Sequence, residues 1–129
     1  MILKALPNTS IQSGELKLYA FVNDEAVGCL ELYNYDPINR RAAVGIVVGS
    51  SFRRQGIGFQ MLNELTCFCR ANLSLHQLYA DIAASNQASL RLFERAGYQC
   101  CGILHDWVKR DGAWLDTHRY QLIISKVHE

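Results

Sequence analysis

Residues 42–58, AAVGIVVGSSFRRQGIG, contain the pattern that decides the fold. The first seven are continuously apolar, which is typical of a strand covered on both faces of a sheet. A short turn follows, and from Ile57 apolar side chains recur every three or four residues up to a stop near Asn72. That spacing predicts an amphipathic helix. The stretch therefore predicts a strand, a glycine-rich turn and a helix in direct succession.

The glycine-rich turn has the features of an anion-binding site. Glycine lets the backbone approach a ligand closely, and the first N–H groups of a helix lack partners within the helix. The helix dipole favours negative charge at that end, and arginine side chains bind phosphate oxygens. We therefore predict a diphosphate site over residues 53–58. Its members are Arg53, Arg54, Gln55, Gly56, Ile57 and Gly58.

Other interpretations of this turn are less well matched. A dinucleotide-binding G-x-G-x-x-G motif would need a third glycine where Met61 stands. A P-loop would end in Gly-Lys-Ser or Gly-Lys-Thr, which the turn does not. A tight turn with surface arginines and no ligand is the alternative that the residues leave open.

The remaining sequence predicts an α/β domain. Residues 1–15 contain breakers such as Pro7 and Gly14 and are expected to be irregular. A second helix is expected between a cap at Ser85 or Asn86 and a stop at Gly97. The predicted order is βββ-α-β-α-ββ in a single domain spanning 1–129, with helices flanking a mixed, mostly antiparallel sheet. The expected strands are residues 16–22, 27–33, 42–48, 78–82, 99–108 and 114–124.

Composition argues against several classes of protein. The chain has 129 residues, of which 50% are hydrophobic and 19% charged, as expected of one globular domain. A net charge of +1 without a basic stripe argues against a nucleic-acid partner. No apolar run is long enough to cross a bilayer, so we expect a cytoplasmic protein without a membrane partner. The five cysteines match no zinc spacing, which predicts free thiols that fill space in the core, and no metal.

Two segments resemble signatures of the GNAT superfamily of acetyl-CoA-dependent N-acetyltransferases. The coenzyme signature, Arg/Gln-x-x-Gly-x-Gly/Ala after an apolar strand, corresponds to RRQGIG at 53–58. The second, Asn-x-x-Ser-x-x-Leu-Tyr-x-x-x-Gly-Phe, corresponds to NQASLRLFERAGY at 86–98. Residues 35–42 and 111–116 resemble the spermidine and ribosomal-protein N-acetyltransferase branch. The resemblance extends over residues 16–124.

The resemblance implies a function and a coenzyme site. It implies transfer of acetyl from acetyl-CoA, a cosubstrate, to a primary amine of a small molecule or peptide, by direct attack in a ternary complex. It implies that backbone groups of Ile46, Val47 and Val48 bind the pantetheine arm and that residues 53–58 bind the pyrophosphate. Asn86 is implied to hydrogen-bond the pantetheine region. The alternatives are a coenzyme-binding module with little or no catalysis, and a domain for protein association.

The chain departs from the family pattern at two places. Phe93 stands where many members have a tyrosine that protonates the departing thiolate, and phenylalanine has no proton to give. A thiol pKa near ~8.5 means that releasing the thiolate at pH 7 costs about 2 kcal/mol, so transfer remains feasible. The family's usual N-terminal strand and two helices are also expected to be missing. An apolar surface exposed by their loss predicts a homodimer.

Acyl transfer also requires the acceptor amine to lose a proton. An alkylammonium has a pKa near ~10.4, so a base or a water chain has to accept that proton. Glu31, in the second predicted strand, is the first candidate for the base. Asp36, His105 and Asp106 are further candidates, and each could equally be a solvated surface group. Tyr98 or water could supply the proton that Phe93 lacks.

Overall fold

The computed structural model describes residues 1–125. These residues form a seven-stranded sheet, two α-helices and two 3-10 turns at Ile11–Ser13 and Ser50–Phe52. The helices are α1 (Ile57–Asn72) and α2 (Gln87–Arg95). The strands are β1 (Ile2–Ala5), β2 (Leu16–Val22), β3 (Glu25–Asp36), β4 (Arg41–Val48), β5 (Gln77–Ala83), β6 (Gln99–Arg110) and β7 (Ala113–Ile123). No helix within residues 1–125 is long and apolar enough to cross a bilayer.

The sheet has the mixed, mostly antiparallel topology expected from the sequence. Its strand order is β1-β2-β3-β4-β5-β7-β6, and every neighbouring pair is antiparallel except β4 and β5. From residue 16 onward, the predicted order of strands and helices is confirmed. The parallel β4–β5 pair requires a crossover, and α1 provides it.

The prediction of an irregular start was wrong. Residues 2–5 form β1, which pairs antiparallel with β2 from Ile2↔Phe21 to Ala5↔Leu18. The N-terminal strand expected to be missing is therefore present, and residues 6–15 connect it to β2 through a 3-10 turn instead of two helices. Ser10 caps that turn by accepting a hydrogen bond from the Ser13 N–H at 3.2 Å, and Gly14 closes it at φ +96°. The breakers thus build a tight connection rather than an unstructured tail.

Both helices pack on the face formed by even-numbered residues of the central strands. Alternation along each strand places these apolar side chains on one side of the sheet. Met61, Leu62 and Leu65 of α1 are fully buried against them. The strand residues in this core include Leu18, Leu30, Leu32, Ala42, Leu78 and Ala80. Burying this apolar surface holds the helices against the sheet.

The opposite face has odd-numbered, largely polar or aromatic side chains. Lys17, Glu31, Tyr33 and Tyr79 lie there, each partly exposed. A bidentate ion pair ties the same face together, because Arg119 on β7 donates to both oxygens of Asp81 on β5 at 2.8 and 2.9 Å. This face contrasts with the apolar one that packs against the helices.

The sheet opens between its two parallel strands. β4 and β5 pair over three residues only, from Arg41↔Gln77 to Ala43↔Tyr79. Beyond that point β4 continues to Val48 while paired with β3, and β5 continues to Ala83 while paired with β7. The two strands therefore diverge, and the gap between them positions the candidate site.

Candidate functional site

Two adjoining clefts lie along the edge of β4 that faces β5. The turn cleft, about 650 Å³, lies beside the start of α1 and is lined by residues of β4, the glycine-rich turn and α2. The sheet cleft, about 460 Å³, lies between the diverging strands, α2 and the β6–β7 hairpin. Ile46, Asn86 and Ser89 line both clefts, so they mark the junction between them.

Most of the coenzyme residues predicted from the sequence come together in the turn cleft. Gln55 is the exception, since its side-chain amide donates to the Ser51 carbonyl at 3.1 Å and it does not line the cleft. The predicted residues that line it are Ile46, Val47, Val48, Arg53, Arg54, Gly56, Ile57, Gly58 and Asn86. The structure thus gathers into one cavity residues that are spread over 41 positions of the sequence.

The start of α1 presents backbone donors to the turn cleft. Gly56 is the N-cap at φ +76°, and within the described residues no side chain caps the helix. The first backbone bond at this end runs from the Gln60 N–H to the Gly56 carbonyl at 3.1 Å. The N–H groups of Ile57, Gly58 and Phe59 therefore have no hydrogen-bond acceptor within the helix. All three residues line the cleft. An anion there would accept bonds from them and interact favourably with the helix dipole.

The two glycines of the turn have different roles. A Cβ at Gly56 would meet no atom within 4 Å, so glycine is favoured there by the left-handed backbone. A Cβ at Gly58 would lie 3.0 Å from Leu92 Cδ2 and 3.4 Å from Val48 Cγ2. Gly58 thus allows α1 to pack closely against α2 and β4. Gly56 is therefore needed for the backbone conformation of the turn, and Gly58 for the close packing of α1 beside the cleft.

The turn cleft is electropositive. Three arginines line it, and none of its lining residues is acidic. Arg53 Nε donates to the Val48 carbonyl at 3.4 Å, which ties its side chain to the end of β4. Arg95, which the sequence analysis missed, stacks over the Phe59 ring at 4.2 Å from its centroid. Its position at the C-terminal end of α2 carried no local signal, because the fold alone brings it to the turn.

The edge of β4 supplies a second set of backbone groups. Past Ala43, β4 pairs with β3 on one side and has no strand partner on the β5 side within residues 1–125. Val47 is 64% exposed in this segment. An extended ligand could hydrogen-bond to this edge as an added strand would.

Asn86 begins α2 at the junction of the two clefts. Its Oδ1 accepts a hydrogen bond from the Ser89 N–H at 3.2 Å, so of the two predicted caps Asn86 is the one formed. This bond fixes the orientation of the side chain. Asn86 therefore has a structural role that is compatible with binding a ligand as well.

Phe93 lines the sheet cleft with a nearly buried ring. It packs edge to face against Tyr98, with the ring centroids 4.9 Å apart. Tyr98 is 2% exposed and lines neither cleft, and within residues 1–125 its hydroxyl has no hydrogen-bond partner. Burial raises the pKa of Tyr98. The structure thus offers no path by which this phenol reaches a group in the clefts.

The candidate bases named from the sequence lie outside both clefts. Glu31 Oε2 is 3.9 Å from Lys17 Nζ on the odd-numbered face, and its role as base stays a prediction. The Asp36 carboxylate accepts from the N–H groups of Asn39 and Ile38, and these bonds lower its pKa. The bonds to Asp36 stabilise the turn that follows β3.

His105 and Asp106 belong to an irregularity in β6. The pairing register of β6 with β7 shifts between Leu104 and Val108. Asp116 holds this bulge, because its carboxylate accepts from the Asp106 N–H at 3.0 Å and lies 3.2 Å from His105 Nδ1. The Asp106 bond and His105 lower the pKa of Asp116. Bulges commonly re-aim a side chain, and here the next residue, Trp107, lines the sheet cleft.

The sheet cleft contains residues that the sequence analysis did not single out. Tyr33, Asp81, Trp107 and Arg110 line it. Burial raises the pKa of Tyr33, and Asp81 adds to that effect, so its phenol is neutral at physiological pH. Asp81 had one usable signal in the sequence, a single charge within the apolar segment LYADIA. Trp107 and Arg110 had none, since the bulge and the hairpin place them.

The cysteines are free thiols, as predicted, but the expectation that they fill space in the core was wrong for most of them. Cys69 is buried in the core and burial raises its pKa to about 12, whereas Cys67, Cys100 and Cys101 are exposed. Within residues 1–125 no group of three or more His, Cys, Asp or Glu side chains is arranged to hold a metal ion.

Comparison with known proteins identifies the family. The sequence model of the acetyltransferase (GNAT) family matches residues 5–98. N-alpha-acetyltransferase 50 from Danio rerio is 26% identical over 102 residues, which cover 78% of this chain and 61% of that protein. Spermidine N(1)-acetyltransferase from Vibrio cholerae is 25% identical over 100 residues, which cover 78% of this chain and 58% of that protein. The chain spans about three fifths of the length of these curated relatives.

Solved structures share the fold. Spermidine N-acetyltransferase from Vibrio cholerae in complex with CoA and spermine superposes with a TM-score of 0.82 at 22% identity, covering 89% of this chain and 69% of that one. The alpha-N-protein acetyltransferase RimL superposes with a TM-score of 0.82 at 24% identity, covering 88% of this chain and 72% of that one. The family match, extending over most of the chain, shows that this protein belongs to the acetyltransferase (GNAT) family.

Proposed function

We propose that the chain is an N-acetyltransferase that moves acetyl from acetyl-CoA to a primary amine by direct attack in a ternary complex. One observation carries the proposal: an electropositive cleft at an uncapped helix start opens beside an unpaired strand edge and joins a second cleft. The first is suited to a long anionic carrier, and the second to an acceptor. Membership of the acetyltransferase family supports the same reaction.

In this proposal the coenzyme occupies the turn cleft. Its pyrophosphate accepts from the N–H groups of residues 57–59, with Arg53 and Arg54 adding charge-assisted bonds. The pantetheine arm runs along the edge of β4 at Ile46, Val47 and Val48, and reaches Asn86. The thioester then lies at the junction of the clefts, since a carrier in one cleft and an acceptor in the other meet there.

The chemistry at the junction requires one bond to form and one to break. The neutral amine nitrogen attacks the thioester carbonyl and forms the C–N bond. The tetrahedral intermediate gives up one nitrogen proton to water, and the C–S bond breaks to release the coenzyme as a thiolate. A β4 backbone N–H near Val47 is suited to stabilising the oxyanion. Phe93 donates no proton, and the thiolate leaves at a cost of about 2 kcal/mol at pH 7 before water protonates it.

The second candidate function is a coenzyme-binding module with little or no catalysis. The observation that favours it is Phe93, which stands where many members of the family have a tyrosine and has no hydroxyl to donate a proton. The two functions share the turn cleft and differ in whether the bound coenzyme gives up its acetyl group. Acceptor-dependent release of free thiol therefore separates them.

Calorimetry with CoA and thiol-release assays with acetyl-CoA test the proposal. The acceptor panel comprises polyamines, amino acids and peptides with free α-amino groups. We expect coenzyme binding and acceptor-dependent thiol release for at least one of these classes. Binding without transfer to any acceptor would favour the module, and no binding at all would contradict both functions.

We also propose that the protein forms a homodimer, a prediction supported by apolar side chains exposed outside both clefts, such as Ile2 and Tyr19, 59% and 44% exposed. Sedimentation equilibrium is expected to give twice the mass of the chain at high micromolar concentration. A monomer at that concentration would contradict it. The cytoplasmic location stays a prediction from the sequence.

A further inference from the structure

We infer that the acceptor is the α-amino group of a peptide with acidic residues close behind it, rather than a polyamine. The inference deepens the proposed function and rests on it. It depends on the charges that line the sheet cleft and on how each is paired.

The sheet cleft has two charged lining residues, Asp81 and Arg110. Asp81 is already engaged, because both of its oxygens accept hydrogen bonds from Arg119 at 2.8 and 2.9 Å. The Arg110 side chain is exposed at the tip of the β6–β7 hairpin and makes no hydrogen bond or ion pair with residues 1–125, while the backbone of Arg110 pairs with Ala113. The accessible charge of the cleft is therefore positive.

A positive cleft discriminates between acceptors by charge. Spermidine and similar polyamines carry several ammonium groups, which would meet Arg110 without a free carboxylate to compensate. Like-charge contacts oppose binding, whereas a carboxylate on the acceptor would form an ion pair with the guanidinium. The unpaired Arg110 thus favours an acceptor that has an anionic group several atoms from its amine.

The reacting amine also has to be neutral, and the residues that line the cleft include no free group to accept its proton. Its single carboxylate is held by Arg119, and the Tyr33 phenol is protonated. An α-amino group, with a pKa near ~8, is about 200-fold more often neutral at pH 7 than an alkylamine with a pKa near ~10.4. A cleft without a free base therefore favours the α-amino group of a peptide.

The wall that carries Arg110 is held in place. Asp116 fixes the bulge of β6 through the Asp106 N–H and His105, and Trp107 and Arg110 follow it on the same strand. Trp107 is 59% exposed while lining the cleft, which leaves its ring accessible to the body of a peptide. The hairpin thus presents an aromatic surface and a cation together.

The test compares kcat/KM of the full chain for C-terminally amidated peptides Ala-Glu-Glu-Ala-Gly, Ala-Gln-Gln-Ala-Gly and Ala-Lys-Lys-Ala-Gly, and for spermidine. We expect the glutamate peptide to exceed the glutamine peptide about threefold to fivefold at low salt, as for one exposed ion pair. The glutamine peptide should exceed spermidine by about 100-fold or more at pH 7, following the neutral fractions of the amines. Rates for the peptides should level off near pH 8, while the rate for spermidine still rises at pH 9.5.

Two matched variants test the role of the cation. Arg110→Gln is expected to reduce the glutamate-to-glutamine ratio to about one. Lys109→Gln removes the same charge one residue away, where the ammonium lies over Trp114 at 5.5 Å and outside the cleft lining, and should leave that ratio unchanged.

The outcomes separate this inference from the proposed function. Transfer with spermidine preferred, or with a ratio insensitive to Arg110→Gln, would overturn the inference and leave the acetyltransferase proposal standing. A peptide rate that levels off below pH 7 would reveal a dedicated base and also overturn the inference. Coenzyme binding without transfer to any of the four acceptors would overturn both.

Discussion

Replacing Gly56 with valine is expected to remove most coenzyme binding while leaving the chain folded. Gly56 has φ +76° and no atom within 4 Å of a built Cβ, so the substitution meets strain rather than a clash. An L residue in the left-handed region costs about 1–2 kcal/mol, and a branched side chain adds to that. A domain of ordinary stability, about 5–15 kcal/mol, tolerates this loss.

The Gly56→Val substitution should weaken CoA binding by more than the small loss in unfolding free energy would suggest. The turn can relieve the strain by rotating away from positive φ, which redirects the N–H groups of residues 57–59. Loss of one hydrogen bond to a charged group costs about 1.5–3 kcal/mol, equivalent to about 10- to 150-fold in Kd. Calorimetry with CoA measures this change, and thermal unfolding reports the stability.

Gly112→Val is the matched control. Gly112 has φ +79°, meets no atom within 4 Å of a built Cβ, and lies outside the lining of the turn cleft. It should lower the melting temperature to a similar extent and leave CoA affinity unchanged. If Gly56→Val binds CoA as tightly as the unmodified protein, or if both variants lose affinity equally, the placement of the pyrophosphate is wrong.

Three further changes probe the rest of the site and the core. Phe93→Tyr, assayed by thiol release, should raise turnover up to about 30-fold, because a protonated leaving thiol recovers at most about 2 kcal/mol; a fall would contradict this. Tyr98→Phe removes a buried hydroxyl without a partner in residues 1–125, so chemical denaturation should show equal or greater stability. Glu31→Gln should change kcat/KM less than twofold, since Glu31 lines neither cleft, and a tenfold loss would instead support its predicted role as base.

The strand, turn and helix of residues 42–58 could be predicted because their signals are local. Continuous apolarity, paired glycines and helical spacing each depend on neighbouring residues alone. The same holds for the Asn86 cap, which is visible in the sequence of α2. These elements form the turn cleft, and most of the residues predicted to bind the coenzyme line it.

The rest could not be predicted because it depends on pairing between distant residues. Strand β1 is four residues long, which is too short to show a clear alternation of polar and apolar residues. It is stabilised by its pairing with β2. Arg95 and Arg110 reach the clefts through helix packing and a hairpin that local patterns do not specify. Glu31 has the right chemistry for a base, and strand alternation directs it to the same odd-numbered face as Tyr33 and Asp81, but its position along β3 leaves it beside Lys17 and outside the cleft lining.

A crystal structure of the complex with CoA tests the central claim most directly. The pyrophosphate oxygens are expected within about 3.2 Å of the backbone nitrogens of Ile57, Gly58 and Phe59, at the start of α1. A pyrophosphate bound elsewhere, or a turn cleft left empty at saturating CoA, would contradict the claim.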